Sequence, residues 1–373
     1  MPMYEIFEPV AIGPLTARNR IVRSATWLGL AEPRGEVTEP LVARYAELAR
    51  GGAGVVVTGY ASVSPEGRQM PRMLGAHDDA FVPGLRRLAE AIRGAGAVAV
   101  LQLVHAGGQT RSDWIGGRSP VAPSFLDHPQ YPETPRELTF EEIQRIVADF
   151  GRAARRGREA GFDAVQLHGA HGYLINQFLS PSTNQRSDRY GGTLRRRFGF
   201  LQEVMAAVQG AVGLGFPVGV KLNGEDFVPG GLTRDEAAQV AEWLALRGAS
   251  WIEVSGGTPA SGALGPARAG VEPGRGEAYF RDLAAAVKRR VSCPVALVGG
   301  LRSLRTLEDL LLEGVADLFS LSRPLIWEPD LPNRWAAGDA APARCISCNG
   351  CFAPGREGRG VTCVVREKEG KGR

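Results

Sequence analysis

His168 closes the apolar-rich run Asp163-Ala164-Val165-Gln166-Leu167, His171 follows three residues later, and Tyr173 two after that. If the chain turns into a helix here, those offsets hold all three side chains over the mouth of one site. Two imidazoles can donate hydrogen bonds to an oxygen on which negative charge develops, and a phenol can deliver a proton beside it. That is the equipment for reducing a double bond conjugated to a carbonyl. An isolated His-x-x-His is equally a fragment of a zinc site or a pair of structural histidines. The elements around it decide.

Short β-branched runs alternate with longer helical patterns along the chain. Strands are expected at 20–23, 54–58, 98–103, 163–168, 217–223, 251–255, 294–298 and 317–321. Helices are expected at 39–50, 80–94, 139–161, 194–212, 233–247, 277–290 and 303–313. Thr139 with Glu142 and Thr233 with Glu236 have capping-box spacing. This alternation predicts an α/β fold, a (β/α)8 TIM barrel over residues 1–335, with a short cysteine-rich extension over 336–373. A doubly wound open sheet is the competitor. No Gly-x-Gly-x-x-Gly follows a strand, which weighs against its dinucleotide-binding form.

Barrel chemistry collects at the C-terminal ends of the strands. Those ends carry Ser24, Ala25, Thr26 and Trp27, then Tyr60, Gln102, His168 and Lys221, and after the sixth strand Ser255-Gly256-Gly257. Gly299-Gly300 and Ser322-Arg323 follow the seventh and eighth strands, where a Gly-Gly turn and a guanidinium suit a phosphate monoester. Glycine is frequent, 49 of 373 residues, against a usual share of ~7%. Such a share suits backbone that approaches a large ligand closely.

The formal charge of +4 is small and spread along 373 residues, so nucleic acid is not an expected partner. No apolar run is long enough to span a membrane, and Met1-Pro2-Met3-Tyr4-Glu5 has no leader pattern; a cytoplasmic protein is expected. The charged tail from Arg366 to Arg373 reads as a frayed end.

From about Leu15 to Trp335 the sequence resembles the Old Yellow Enzyme family of FMN-dependent barrels. The most specific stretch is His168-Gly-Ala-His171-Gly-Tyr173-Leu-Ile-Asn176-Gln-Phe178-Leu-Ser-Pro181 with Asn184-Gln-Arg186-Ser-Asp188-Arg-Tyr190-Gly191-Gly192. The resemblance implies that His168 and His171 bind the substrate carbonyl and that Tyr173 supplies the proton. It implies FMN as cofactor, with Gln102 at the flavin pyrimidine and Lys221 near N1. It also implies a phosphate site at Gly299, Gly300, Ser322 and Arg323, and NAD(P)H as reductant. Two positions depart from the family pattern: Gly108 stands where an arginine is frequent, and Trp27 where threonine or cysteine is common.

Cys293 lies alone before a strand and reads as a buried inert thiol, whereas Cys345, Cys348, Cys351 and Cys363 form a Cys-x2-Cys-x2-Cys-x11-Cys pattern. In a reducing compartment this reads as a metal site rather than disulfides: a [4Fe–4S] cluster, a structural zinc, or an empty remnant. Three closely spaced thiols favour the cluster. The tail resembles the cluster segment of 2,4-dienoyl-CoA reductase and trimethylamine dehydrogenase, relatives in which a further flavin or nucleotide domain follows the segment.

Three functions follow. The first is an FMN-dependent NAD(P)H oxidoreductase reducing the C=C bond of α,β-unsaturated carbonyl compounds. The second is a dienoyl-thioester reductase or amine dehydrogenase-like enzyme, although the dienoyl-CoA enzymes generally carry an acidic residue where this chain has His171. The third is a flavin and iron–sulfur electron carrier, which has no need of a proton donor. A homo-oligomer and a separate electron-transfer partner both fit this reading.

Overall fold

Eight parallel strands close on themselves in a computed structural model that describes residues 4–371. They are β1 (Ile21–Arg23), β2 (Val55–Val57), β3 (Val98–Val104), β4 (Ala164–Gly169), β5 (Val218–Asn223), β6 (Ile252–Ser255), β7 (Val295–Val298) and β8 (Leu318–Leu321). Each pairs in parallel with the next, except that β1 also pairs with β8, which closes the ring. Helices occupy the connections, so the fold is the predicted (β/α)8 barrel. Met1-Pro2-Met3 of the N-terminal reading and Gly372-Arg373 of the charged tail lie outside the described residues.

The N-terminal floor of the barrel is closed by a hairpin, Val10–Ile12 with Leu15–Ala17, that the sequence reading did not anticipate. Its apolar residues pack with Val22, Val57, Val100 and Trp251. A floor sealed by apolar side chains leaves the opposite, C-terminal mouth for chemistry. Both capping boxes form as expected: the hydroxyls of Thr139 and Thr233 accept from the backbone N–H groups of Glu142 and Glu236.

Three expectations need correction. The helix expected from 277 begins only at Arg281, because Glu277 turns its carboxylate to the backbone N–H groups of Arg302 and Ser303 instead of joining the helix. Residues 194–212 form two helices, Leu194–Arg197 and Gly199–Val212, meeting at Phe198. The charged tail is helical over Val364–Lys371 rather than frayed, and Arg366 Nη1 donates to the Trp327 carbonyl at 2.8 Å.

The boundary expected after residue 335 falls within the helix Leu331–Ala336. Beyond it, Ala343, Cys351 and Val361 join the main hydrophobic core. Val361 N–H donates to the Leu28 carbonyl at 2.8 Å, so the extension is fastened to the loop after β1.

Candidate active site

Strand register builds a polar layer inside the barrel. Gln102 stands opposite Gln166, His168 opposite Lys221, and Lys221 opposite Glu253. Gln102 Nε2 donates to Gln166 Oε1 at 2.7 Å, and Gln166 Nε2 donates to Glu253 Oε2 at 2.9 Å. The other oxygen of Glu253 accepts from Lys221 Nζ at 3.0 Å and from Ser24 Oγ at 2.7 Å. Burial opposes ionisation of Glu253, but the Lys221 ammonium and three hydrogen-bond donors outweigh it and hold the carboxyl below its ordinary range. Gln166 and Glu253 were missed in the sequence. A lone acid in the otherwise apolar run Trp251-Ile252-Glu253-Val254 was the available signal.

Above this layer His168, His171 and Tyr173 come together, though not on a helix. The chain turns through Ala170–Gly172, and the helix Leu174–Leu179 starts only after Tyr173. His171 takes a left-handed φ of 60°, uncommon for a residue with a side chain. That turn is held by Asn223 Oδ1, which accepts from His171 N–H at 3.0 Å, and by Asn176 Oδ1, which accepts from Gly172 N–H at 2.6 Å. Asp226 in turn accepts from both amides, at 2.8 Å from Asn223 and 3.0 Å from Asn176. The turn therefore replaces the helical periodicity expected from the spacing.

Ring centroids of His168 lie 5.1 Å from His171 and 4.7 Å from Tyr173, both nearly edge-on. Tyr60 completes the group at 5.7 Å from Tyr173, and its hydroxyl donates to Gln69 Oε1 at 2.9 Å. His171 Nε2 lies 2.7 Å from Ser255 Oγ. Desolvation, with Lys221 nearby, holds both imidazoles well below their ordinary pKa, so they are neutral at pH 7. Burial pushes the Tyr173 phenol up to about 12, which keeps its proton available. One neutral imidazole, His171, and a protonated phenol thus face one space, with the His168 ring buried directly behind them.

That space is a cavity of about 610 Å³ at the C-terminal mouth. Twelve of the predicted site residues reach it: Ser24, Ala25, Thr26 and Trp27 after β1, Tyr60 after β2, His171 and Tyr173 after β4, and Lys221 on β5, with Gly299, Gly300, Ser322 and Arg323 closing the far side. Gln102 and His168 do not line it directly; both are buried behind it. Gly299 and Gly300 have φ of 134° and 72°, and a Cβ on either would meet the Tyr279 ring at 3.0 and 2.8 Å. Thr26 and Ser322 hydroxyls are 2.8 Å apart on the same wall.

The residues fit a flavin mononucleotide. The cavity lining includes four cations and no carboxylate, as an anionic cofactor requires. Among the described residues, the buried Gln102 Oε1 and the cavity-lining Trp27 Nε1 have no hydrogen-bond partner, one an acceptor and one a donor. Arg323 needs a qualification as a phosphate ligand. Its Nη1 donates to the Arg268 carbonyl at 2.8 Å and to Asn349 Oδ1 at 2.5 Å, so part of its fork is already committed to the loop between Cys348 and Cys351. Gly108, where an arginine is frequent in the family, lies against Tyr131; a Cβ there would stand 2.6 Å from that ring.

Cys345, Cys348, Cys351 and Cys363 line one small cavity beside Arg323. Ser347 and Asn349, between them, take left-handed φ of 55° and 60°, so the loop curls around the thiols. Among the described residues no three or more ligand-type side chains stand close enough to hold a metal ion. Four thiols facing one space remain a donor set suited to iron or zinc. Cys293 is half-buried and apart from them.

The sequence matches the NADH:flavin oxidoreductase / NADH oxidase family over residues 5–341. It is 41% identical to a metal reductase of Desulforamulus reducens over 98% of this chain and 54% of that protein. The chain thus spans about half the length of that curated relative. Among solved structures, a 2-naphthoyl-CoA reductase in complex with 2-naphthoyl-CoA is similar at a TM-score of 0.90 and 27% identity, covering 98% of this chain and 57% of its own. An Old Yellow Enzyme homologue from Zymomonas mobilis is similar at a TM-score of 0.77 and 28% identity, covering 89% of this chain and 92% of its own. No helix among the described residues is long and apolar enough to cross a membrane.

Proposed function

The chain belongs to the NADH:flavin oxidoreductase / NADH oxidase family, and on that premise we propose that it is an FMN-dependent NAD(P)H oxidoreductase reducing the C=C bond of α,β-unsaturated carbonyl compounds. The observation that carries this reading is the convergence of His171 and Tyr173 on one cavity, with His168 4.7 Å from the Tyr173 ring. Bound FMN supplies hydride transfer, between NAD(P)H and the substrate in turn.

The chain's own residues do the rest. His168 and His171, neutral at pH 7, donate hydrogen bonds to the substrate carbonyl oxygen and stabilise the charge that develops there. Ser255 and Asn223 fix the His171 ring and backbone for this. Tyr173 delivers its proton to the carbon next to the carbonyl, with Tyr60 packed beside it. Gln102, Lys221 and Trp27 would hold the flavin ring, and Gly299, Gly300, Ser322 and Arg323 its phosphate. Cys345, Cys348, Cys351 and Cys363, in the extension after residue 335, would hold a [4Fe–4S] cluster, which would supply electron transfer to a partner protein or fasten the tail.

A second reading, reduction of an unsaturated thioester, is favoured by the likeness to 2-naphthoyl-CoA reductase, which runs through the cysteine segment. An anaerobic assay of the reduced holoenzyme separates the readings. Oxidation by a simple cyclic enone supports the first. Oxidation only by an unsaturated thioester supports the second, and by neither, an electron carrier.

A further inference from the structure

The cysteine segment does more than adjoin the barrel: it builds one wall of the cavity, to which Phe352 and Arg356 both contribute. That wall is fixed. Gly355 lies directly against Trp27, since a Cβ there would stand 2.8 Å from the indole Cζ3. A Cβ on Gly360 would likewise stand 2.5 Å from Leu30 Cδ2, and Val361 N–H is bonded to the Leu28 carbonyl. Pro354 and Gly355 are buried while Arg356 is exposed, so the guanidinium stands on a rigid base at the cavity edge.

The charges of the cavity do not balance within the protein. Its lining includes Lys221, Arg302, Arg323 and Arg356, and no acidic side chain. Lys221 is paired with Glu253. Arg302 donates to the Val271 and Ala343 carbonyls at 2.5 and 3.0 Å. Arg323 donates to the Arg268 carbonyl and to Asn349. Arg356 alone of the four has no hydrogen-bond or ion-pair partner among the described residues. Its chain neighbour Gly355 packs on Trp27, in the loop after β1, whereas the phosphate end of a flavin would lie at Gly299–Gly300 and Ser322–Arg323.

We propose that Arg356 binds a carboxylate carried by the substrate, so that this cavity selects anionic over neutral unsaturated carbonyl compounds. The proposal rests on the reading of His168, His171 and Tyr173 as the carbonyl site. A planar fork of donors at the cavity edge matches a carboxylate in two hydrogen bonds. The apolar surfaces of Trp27, Phe352 and Met70 in the same cavity lining would cover the hydrocarbon part of such a molecule.

The test uses oxidised holoenzyme and two phenols that differ in charge, 4-hydroxybenzoate and 4-hydroxybenzaldehyde, titrated by their long-wavelength flavin absorption. Wild type is expected to bind the carboxylate more tightly. In Arg356→Gln the ratio of the two dissociation constants should shift by about 10-fold towards the neutral phenol, and Arg356→Lys should recover part of it. An unchanged ratio in Arg356→Gln would overturn the proposal and leave Arg356 a solvated surface charge. So would a defect confined to flavin reduction by NADPH and absent with NADH, which would assign the arginine to the reductant's 2′-phosphate. If neither phenol perturbs the wild-type flavin spectrum, the carbonyl-site reading fails and the proposal falls with it.

Discussion

Lys221 Nζ and Glu253 Oε1 are 3.0 Å apart in the barrel interior, with side chains 4% and 1% exposed. Each makes the other's burial tolerable, and the pair ties β5 to β6 beneath the cavity. Removing one partner leaves a charge stranded in a poorly solvated layer. Glu253→Gln is therefore expected to cost about 3–5 kcal/mol of stability, read as a lowered urea midpoint of the apoprotein. A shift within experimental error would mean that water reaches Lys221.

The same pair gives acid sensitivity of known sign. Glu253 has a folded pKa below its ordinary 4.5, so its contribution is complete above that value and is lost as the pH falls through the folded pKa. His168 and His171 act in the same direction at higher pH. Their folded pKa values lie well below 6.5, so the stability they confer is full above pH 6.5 and declines as the unfolded chain takes up protons below it. Stability measured from pH 8 to pH 2 should fall in two stages, and His168→Asn with His171→Asn should shrink the first, leaving the part due to His105, whose imidazole burial pushes down to about 4.

Much of this was legible in the sequence because it is written in short-range patterns. All eight barrel strands lie within a residue or two of the β-branched runs that mark them, since a buried parallel strand needs an unbroken apolar segment. Thr139 and Thr233 announced their helices through the glutamates three residues on. The polar layer was not legible, because Gln102, Gln166 and Glu253 meet only through strand register across 151 positions of chain, from 102 to 253. The turn at His171 was not legible for a related reason: its left-handed backbone is held by Asn223, on another strand. The hairpin Val10–Ile12 with Leu15–Ala17 escaped notice because three-residue strands carry too little periodicity. Arg356 reached the cavity by way of contacts between the tail and Leu28, which no local pattern foretells.

For the carbonyl-binding pair, His168→Ala and His171→Ala should each weaken binding of phenol ligands and lower enone turnover together, because both processes place charge on the same oxygen. Removing one such donor typically costs about 10²–10³ in turnover. Loss of stoichiometric zinc on either substitution would instead mark the histidines as metal ligands.

The cysteine segment has a chemical readout independent of activity. Protein purified and reconstituted without oxygen should contain about four irons and four sulfides per chain, and Cys345→Ala or Cys351→Ala should abolish them. Stoichiometric zinc in place of iron would make the segment a structural clip.

The central claim is that Tyr173 protonates substrate carbon at a site where His168 and His171 hold the oxygen. Its phenol, held up near about 12, has no role when NAD(P)H reduces the flavin. Rapid-mixing measurement of the two half-reactions in Tyr173→Phe is the direct test. The account predicts that re-oxidation of the reduced enzyme by a cyclic enone slows by about 10²–10⁴ while reduction by NAD(P)H stays close to wild type. Equal slowing of both half-reactions, or wild-type re-oxidation by the enone, would contradict it.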